Sequence, residues 1–510
     1  MDIVIVVPGI MGSELVSPNG ETLWPPSLSD AIHGMEAPER LLDEHVRPGD
    51  IVRSHLVYNF YNKLIRPLEA WGYAEHADGP AGKLVVWPYN WTQSIPKLAQ
   101  ALAEKIEELC TNDPQSSVVL LSHSMGGLIC TYALECLDGH AHWRKRVRLL
   151  VTFGTPFRGS PEIVKNAIGM EGVASIPGDK CKELMGDHRF PSAYQLLPHL
   201  SSRSLWMTRP GESHPIDYGA LGLDGPNVAL AMEFHKRMAG ASAAPHPHSA
   251  RKFNFGSTSH KTVWGMSLTS PTSATALTAI SGDGSVPSWS SHQHADVEFA
   301  PVGNIHRKTF DDKRVLRTLR TLLQHGPGRP GTAAVDLEAE PVPRPARQPS
   351  VQSVAGDVST LRNWIDVEVL EPPLDNWIQL AWMSIGDVRT PAEVAAMPDP
   401  ASRTEVVASM PLAASIHYPV LLQIPRPIEP RIYALFAWGG RGERPDALNV
   451  EAYDYVMVFQ DRAAEGFEPN GGDSPHDRVR LKEPEQEERS DDEAGDLKNA
   501  GGEPSGQQMA

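Results

Sequence analysis

Cysteine is scarce in this chain of 510 residues: Cys110, Cys130, Cys136 and Cys181 are the four. None are spaced as C-x-x-C, so a disulfide framework, a thioredoxin-like site and a zinc site are all excluded as organising features. Free thiols in a reducing compartment fit this usage. Basic charge is also in deficit, with 46 Lys+Arg against 63 Asp+Glu and a formal net charge of −17. That excludes nucleic acid as a partner and argues against docking on anionic lipid by charge alone. Long apolar runs are missing too, and no window approaches the roughly 18 residues that a membrane helix needs. A signal peptide would need a basic start, an apolar stretch and a small-residue cleavage site. The chain instead opens Met1-Asp2, runs through Ile3-Val4-Ile5-Val6-Val7 and turns at Pro8-Gly9. A cytoplasmic location is expected, with signal-less export left open.

What is present is an ordinary globular balance, 41% hydrophobic and 21% charged, with 45 Pro and 42 Gly. The length exceeds one average domain. Residues 1–325 alternate between short β-branched runs and helical periodicity. Strand candidates are Ile3–Val7, Leu84–Trp87, Val118–Leu121, Arg148–Phe153, Lys252–Gly256 and Val297–Phe299. Helix candidates are residues 94–110, Gly127–Leu137 and Asp311–Leu323. Such alternation predicts an α/β fold on a mostly parallel sheet covered on both faces.

Residues 158–250 break the rhythm, being irregular and rich in Gly, Pro and His, and read as a cap or lid. Residues 326–357 read as a Pro/Gly-rich linker and 358–469 as a small β-rich accessory domain, with apolar segments at Trp364–Leu370, Trp377–Met383, Pro419–Ile424 and Arg431–Trp438. Residues 470–510 hold 11 Asp/Glu and 5 Lys/Arg, or −6 of the total charge, and are expected to be a disordered acidic tail. On this division, residues 1–325 are expected to keep the chemistry by themselves.

The strongest local signal is Val118-Val-Leu-Leu-Ser-His-Ser124-Met-Gly126-Gly127. A strand, a serine between small residues and then an apolar helix is the order of a nucleophile elbow. Small residues are needed two positions away because the turn presses backbone on backbone. Ser122 stands where Gly is more usual. A serine hydroxyl needs a histidine base, and the base needs a carboxylate to fix its tautomer. Asp283, inside Ser281-Gly-Asp-Gly-Ser-Val-Pro287, supplies the carboxylate, although Gly-Asp-Gly is equally a common turn. His306 lies after the last strand candidate and before the closing helix, where the base belongs. His292 and His294 are rivals that precede that strand. The oxyanion donors are expected to be the backbone N–H of Met125 and of Ile10, the latter in the loop Pro8-Gly-Ile-Met-Gly-Ser13.

In one order the chain carries Pro8-Gly-Ile-Met-Gly-Ser-Glu-Leu15, Pro88-Tyr-Asn-Trp91, Ser122-His-Ser-Met-Gly-Gly127, Gly154-Thr-Pro-Phe-Arg-Gly-Ser-Pro161, Tyr194-Gln-Leu-Leu-Pro198, Gly282-Asp-Gly-Ser-Val-Pro287 and His306. This set resembles the lecithin:cholesterol acyltransferase family, which includes lysosomal phospholipase A2, over about residues 1–325. The resemblance implies an α/β-hydrolase fold with a cap and a Ser124–Asp283–His306 triad. It also implies Ile10 and Met125 as oxyanion donors, and chemistry through an acyl-serine formed from an ester-linked acyl chain. The family's Tyr-Asp-Trp-Arg appears here as Tyr89-Asn90-Trp91-Thr92, without the charged pair.

The expected function is therefore a serine-dependent lipid acyl hydrolase or O-acyltransferase that needs no cofactor and no metal. Trp91, Leu205, Trp206 and Met207 are candidate substrate contacts. A lid carrying the last three would touch a membrane surface transiently. Two alternatives stay open. One is an esterase on small soluble esters. The other is an effector module of a defence or delivery system whose C-terminal domain binds an unknown protein partner.

Overall fold

The computed structural model describes residues 2–324, 351–464 and 480–481, apart from 57, 76–78, 139–141, 200–205, 210–211, 214–217, 220, 244–249, 271–272, 293–297, 355–356, 386–404, 414 and 442–453. Seven strands form the central sheet: β1 (Asp2–Val7), β2 (Tyr73–Ala74), β3 (Gly82–Val86), β4 (Ser117–His123), β5 (Val147–Phe153), β6 (Arg251–Gly256) and β7 (Glu298–Pro301). Their order is β7-β6-β5-β4-β1-β3-β2, and every pairing is parallel. With the strand-to-helix elbow after β4, this is an α/β-hydrolase fold, as expected.

The pleat explains why these runs are strands. Along β1, Ile3, Ile5 and Val7 enter one core cluster, while Val4 and Val6 enter another on the opposite face. Helices α1 (Ile95–Asn112) and α2 (Met125–Glu135) cover the first face. Helix α1 does so with Ile95, Leu98, Leu102, Ile106 and Leu109, spaced by three and four. Helix α3 (Lys313–Gln324) covers the second face with Val315, Leu319, Leu322 and Leu323. Each fully buried aliphatic side chain contributes roughly 1.5–3 kcal/mol relative to leaving it in water, so the two-sided burial dominates the fold. Helix α2 begins two residues earlier than its periodicity indicated. That places its first N–H directly after Ser124.

Between β5 and β6 lie three short helices (Pro161–Ala167, Gly178–Gly186 and Pro191–Gln195) and the longer Gly225–Ala243. The sequence did not mark the long hairpin of Lys261–Ser270 with Ser273–Ile280. Among the described residues no helix is long and apolar enough to cross a membrane.

The C-terminal region is two packed sheets. Its strands are β8 (Val351–Ser353), β9 (Asp357–Ser359), β10 (Trp364–Val369), β11 (Trp377–Ser384), β12 (Glu405–Pro411), β13 (Val420–Pro425), β14 (Ile432–Gly439), β15 (Asp454–Phe459) and β16 (Arg480–Leu481). One sheet runs β8-β10-β13-β16 and the other β9-β15-β14-β11-β12. Residues of both sheets share one core, including Val351, Val367, Leu422, Leu380, Leu435 and Val458. The four apolar segments read from the sequence become β10, β11, β13 and β14. The linker span needs correcting: β8 lies inside residues 326–357 and Val351 packs in the sandwich core. Residues 326–350 of that span lie outside the described residues. So does most of the expected acidic tail, apart from Arg480–Leu481.

The outer face of the five-stranded sheet is buried as well. Ala381, Met383, Ala434, Phe436 and Met457 pack with Ala31, which belongs to the hydrolase unit. Backbone bonds cross the same seam, from Gln460 N–H to Ile32 O, Ala464 N–H to Gly169 O and Asp179 N–H to Arg462 O.

Candidate active site

Strand β4 ends at His123 and α2 begins at Met125, leaving Ser124 between them at φ 53°, ψ −125°. A non-glycine residue in such a conformation costs on the order of 1–3 kcal/mol and persists only where its surroundings hold it. Here Ser124 N–H donates to Phe153 O at 2.8 Å. Gly126 is needed for close approach, because a Cβ there would lie 2.4 Å from Pro8 O. Ser122, the departure from glycine, is fully buried and donates its hydroxyl to Val151 O at 3.1 Å. The small polar side chain is satisfied by the neighbouring strand, so the turn accommodates it.

After β1, Gly12 N–H donates to Gly9 O at 3.1 Å and closes a turn in which Met11 has φ 60°. Gly9 N–H donates to Tyr61 Oη at 2.8 Å, and Trp24 Nε1 donates to Met11 O at 2.7 Å. The N–H groups of Ile10 and Met125 donate to no other group among the described residues.

Asp283 and His306 come together from two loops at the same edge of the sheet. His306 Nδ1–H donates to Asp283 Oδ2 at 2.7 Å, and His306 N–H donates to Asp283 O at 2.7 Å. The other carboxylate oxygen, Oδ1, accepts from Ser285 N–H at 3.0 Å and Val286 N–H at 2.6 Å. Burial alone would raise the Asp283 pKa. The His306 charge and hydrogen bond, with those two amides, outweigh it and hold the carboxyl below its usual range. Gly154, at φ 56°, leaves room for the pair: a Cβ there would sit 2.7 Å from both Asp283 Oδ2 and His306 Nδ1. With Nδ1 donating, Nε2 is left as the free base.

No hydrogen bond joins Ser124 Oγ to His306 in this structure. The two are linked instead through His123, whose ring centroid lies 4.6 Å from that of His306. His123 Nε2–H donates to His306 O at 3.3 Å, and Nδ1 accepts from Tyr61 Oη–H at 3.0 Å. Burial first, then the neighbouring His306 charge, pull the His123 pKa down to about 3, so it is a neutral spacer. Tyr61 and His123 escaped the sequence reading. His123 lay inside the serine motif, whereas nothing around Tyr61 marked it.

The rival histidines separate. His292 donates to Ser288 O at 2.7 Å and has no bond to Asp283, while His294 lies outside the described residues. The substrate-contact expectations fare differently. Trp91 is fully buried, donates from Nε1 to Ser13 O at 3.1 Å and packs on Trp24 and Phe190. It is therefore core, because its indole spends its one donor behind the Pro8–Ser13 loop. Asn90 Oδ1 accepts from Thr92 N–H and Oγ1–H at 3.1 and 2.8 Å, a neutral local turn in place of the charged pair. Leu205 lies outside the described residues. Trp206 and Met207 belong to strand Trp206–Arg209, which pairs with Met266 and Ser267.

A cavity of about 660 Å³ opens between the hydrolase unit and the sandwich. It is lined by Asp283 and His306 but not by Ser124, and by charged side chains alongside apolar ones. Among the described residues no group of three or more His, Cys, Asp or Glu side chains could hold a metal ion.

This fold and this loop geometry define the class, an α/β-hydrolase with a serine at the elbow. Comparison with known proteins narrows it. Residues 44–215 match the model of the lecithin:cholesterol acyltransferase family, bearing out the resemblance carried by the motifs. That span contains Ser124 but neither Asp283 nor His306. The chain is also similar to lecithin-cholesterol acyltransferase-like 4 of Arabidopsis thaliana, at 24% identity over 339 residues. That match takes in 55% of this chain and 61% of the relative, so the chain spans less than two thirds of the relative's length. Among solved structures it is similar to a chain of the Tle4–Tli4 complex, at 15% identity over 64% of this chain and 99% of the other, TM-score 0.46. It is also similar to the mature Bacillus licheniformis lipase BlEst2, at 13% identity over 63% and 91%, TM-score 0.32.

Proposed function

We propose that the chain is a serine acyl hydrolase or O-acyltransferase on ester-linked acyl chains of phospholipid or neutral lipid. Ser124 is the nucleophile, His306 the base and Asp283 the acid that orients it. Oγ attacks the ester carbonyl carbon as its proton passes to His306 Nε2. Negative charge builds on the carbonyl oxygen and is received by the N–H groups of Ile10 and Met125. The ester C–O bond then breaks, the alcohol leaves with the proton from His306, and an acyl-serine remains. Water, or an alcohol in a transferase, loses its proton to His306, attacks the acyl-serine and regenerates Oγ–H.

One observation carries this reading. The strained Ser124 elbow faces the same sheet edge as a closed His306–Asp283 pair at 2.7 Å, and Asp283 is kept ionised by its surroundings. The family match over residues 44–215 supports the ester substrate class.

A fluorophosphonate probe with peptide mapping is the test, followed by a panel of phospholipids, neutral lipids and short esters. Labelling at Ser124 is expected, with turnover of at least one lipid class. Labelling elsewhere would remove the mechanism. Turnover of short esters alone would remove the lipid substrate.

A further inference from the structure

His260 sits in the loop between β6 and the following hairpin and is fully buried. Its backbone N–H donates to Gly282 O at 3.0 Å, one residue before Asp283. Its ring Nε2 lies 3.1 Å from Gly303 O, three residues before His306. A carbonyl can only accept, so Nε2 carries a proton. Its Nδ1 lies 2.6 Å from Glu368 Oε2 on β10, itself 2% exposed. One proton is shared between Nδ1 and Oε2, so the pair is neutral overall whichever atom holds it. The same carboxylate oxygen accepts from Gln352 Nε2 at 2.9 Å, on β8. One imidazole thus ties the Asp283 loop, the His306 loop and the sandwich together.

A second link lies on the other side of His306. Lys308 Nζ donates to Asp454 Oδ1 on β15 at 2.6 Å. Asp454 Oδ2 accepts from Ser353 N–H at 2.7 Å and from Arg307 Nη2 at 3.4 Å. Asp454 is buried, and the Lys308 and Arg307 charges outweigh that burial to hold its pKa below the usual range. None of these groups touches Ser124 or the oxyanion loop. His260 touches the segments of both the acid and the base, and Lys308 and Arg307 belong to the segment of the base.

We infer that the C-terminal sandwich positions the catalytic acid and base, through Glu368 on His260 and through Asp454 on Lys308. The inference rests on the catalytic reading above. Asp283 lies in a turn and His306 opens a short 3-10 helix, His306–Asp311, and such short segments open easily unless something pins them. Catalysis needs the base held to within roughly half an ångström. Two buried links supply that, one from each sheet of the sandwich and one on each side of His306. Glu368 and Asp454 are positioning residues, so their loss should act on turnover and not on substrate affinity.

The test uses the full-length protein and p-nitrophenyl butyrate, with folding checked by circular dichroism. Glu368→Ala and Asp454→Asn should each lower kcat by about 10- to 100-fold, the range typical of groups that orient a catalytic side chain, with KM little changed. Glu368→Gln should recover most of the rate, because its amide N–H can donate to Nδ1 while Nε2–H still reaches Gly303 O. Wild-type kcat in folded Glu368→Ala and Asp454→Asn overturns the inference. A KM change as large as the kcat change also overturns it. If Glu368→Ala does not fold, Asp454→Asn decides alone. His306→Ala separates the two levels. If His306→Ala is inactive while the other variants keep wild-type kcat, only the positioning role fails. If His306→Ala is fully active, the catalytic reading fails and takes the positioning role with it.

Discussion

The proposed nucleophile and the proposed acid–base pair are held in opposite ways. Ser124 is gripped by its own strand and helix, by the Phe153 carbonyl of the next strand, and by the Pro8 carbonyl against which Gly126 fits. All of these belong to the central sheet or its exits. Asp283 sits in a turn and His306 opens a short 3-10 helix, and their neighbours His260 and Lys308 are held from β10 and β15. A strained turn between a strand and a helix can be specified locally. Two segments 23 residues apart, with a strand between them, need a third body to fix their spacing, and the sandwich provides it.

The comparison can be broken most forcefully on the local side. Ser124→Ala should leave the fold intact and reduce ester hydrolysis by on the order of 10³-fold or more, as loss of a nucleophile does in other triads. Wild-type turnover in that variant would sink the elbow reading. On the other side, residues 1–325 without the sandwich should fail to hydrolyse ester, or fail to fold. That reverses the expectation from chain division alone, because removal bares the outer-sheet seam around Ala31 and frees both links to the His306 region. A soluble fragment with full turnover would show that the loops hold themselves.

Gly154→Ala sharpens the contrast, since the atoms nearest its added methyl belong to Asp283 and His306. It should cost about 10²-fold in kcat, as displacement of a catalytic group by about an ångström does. Gly20→Ala is the control, because Gly20 also has positive φ but no atom within 4 Å of the added methyl. It should cost only about 1 kcal/mol of stability and leave turnover alone. Equal kcat losses in the two variants would remove the crowding argument.

Acid offers a gentler test. His123 has its pKa lowered from 6.5 to about 3 by burial first and then by His306, so the unfolded chain binds a proton there that the folded one does not. The stability tied to it is complete above about pH 6.5 and falls as pH drops toward 3, by up to about 1.4 kcal/mol per pH unit. Asp283 and Asp454, held below the ordinary carboxylate range, lose their contribution only at lower pH. Urea melts between pH 8 and 5 should therefore show a slope that His123→Gln reduces. An unchanged slope would move the cause elsewhere. The smallest effect is expected for Ser122→Gly, which deletes one buried hydrogen bond to Val151 O. It should cost about 1 kcal/mol, with kcat little altered.

Much of the site was legible because its parts are short-range. The apolar run before Ser124, the glycines after it and the helical periodicity beyond mark an elbow wherever they occur in that order. Asp283 and His306 were legible only through their order along the chain, which could not separate His306 from His292 by chemistry. Trp91 misled because a tryptophan inside a segment that carries the family resemblance reads equally as a contact or as core. Its indole lies behind the Pro8–Ser13 loop, and no local pattern reveals that.

By itself, then, the sequence determined the alternating strands and helices, the elbow serine and the general region of the acid and base. Periodicity and turn chemistry act over a few residues, and the chain records them directly. Only the tertiary structure decided which histidine meets Asp283, and that Tyr61 and His123 tie the Pro8–Ser13 loop to the His306 backbone. It alone brought Glu368 and Asp454 to the acid and base loops. These are pairings between single charged or polar groups 23 to 183 residues apart, beyond the reach of any local pattern. They become favourable only once apolar burial has brought the two sheet systems together.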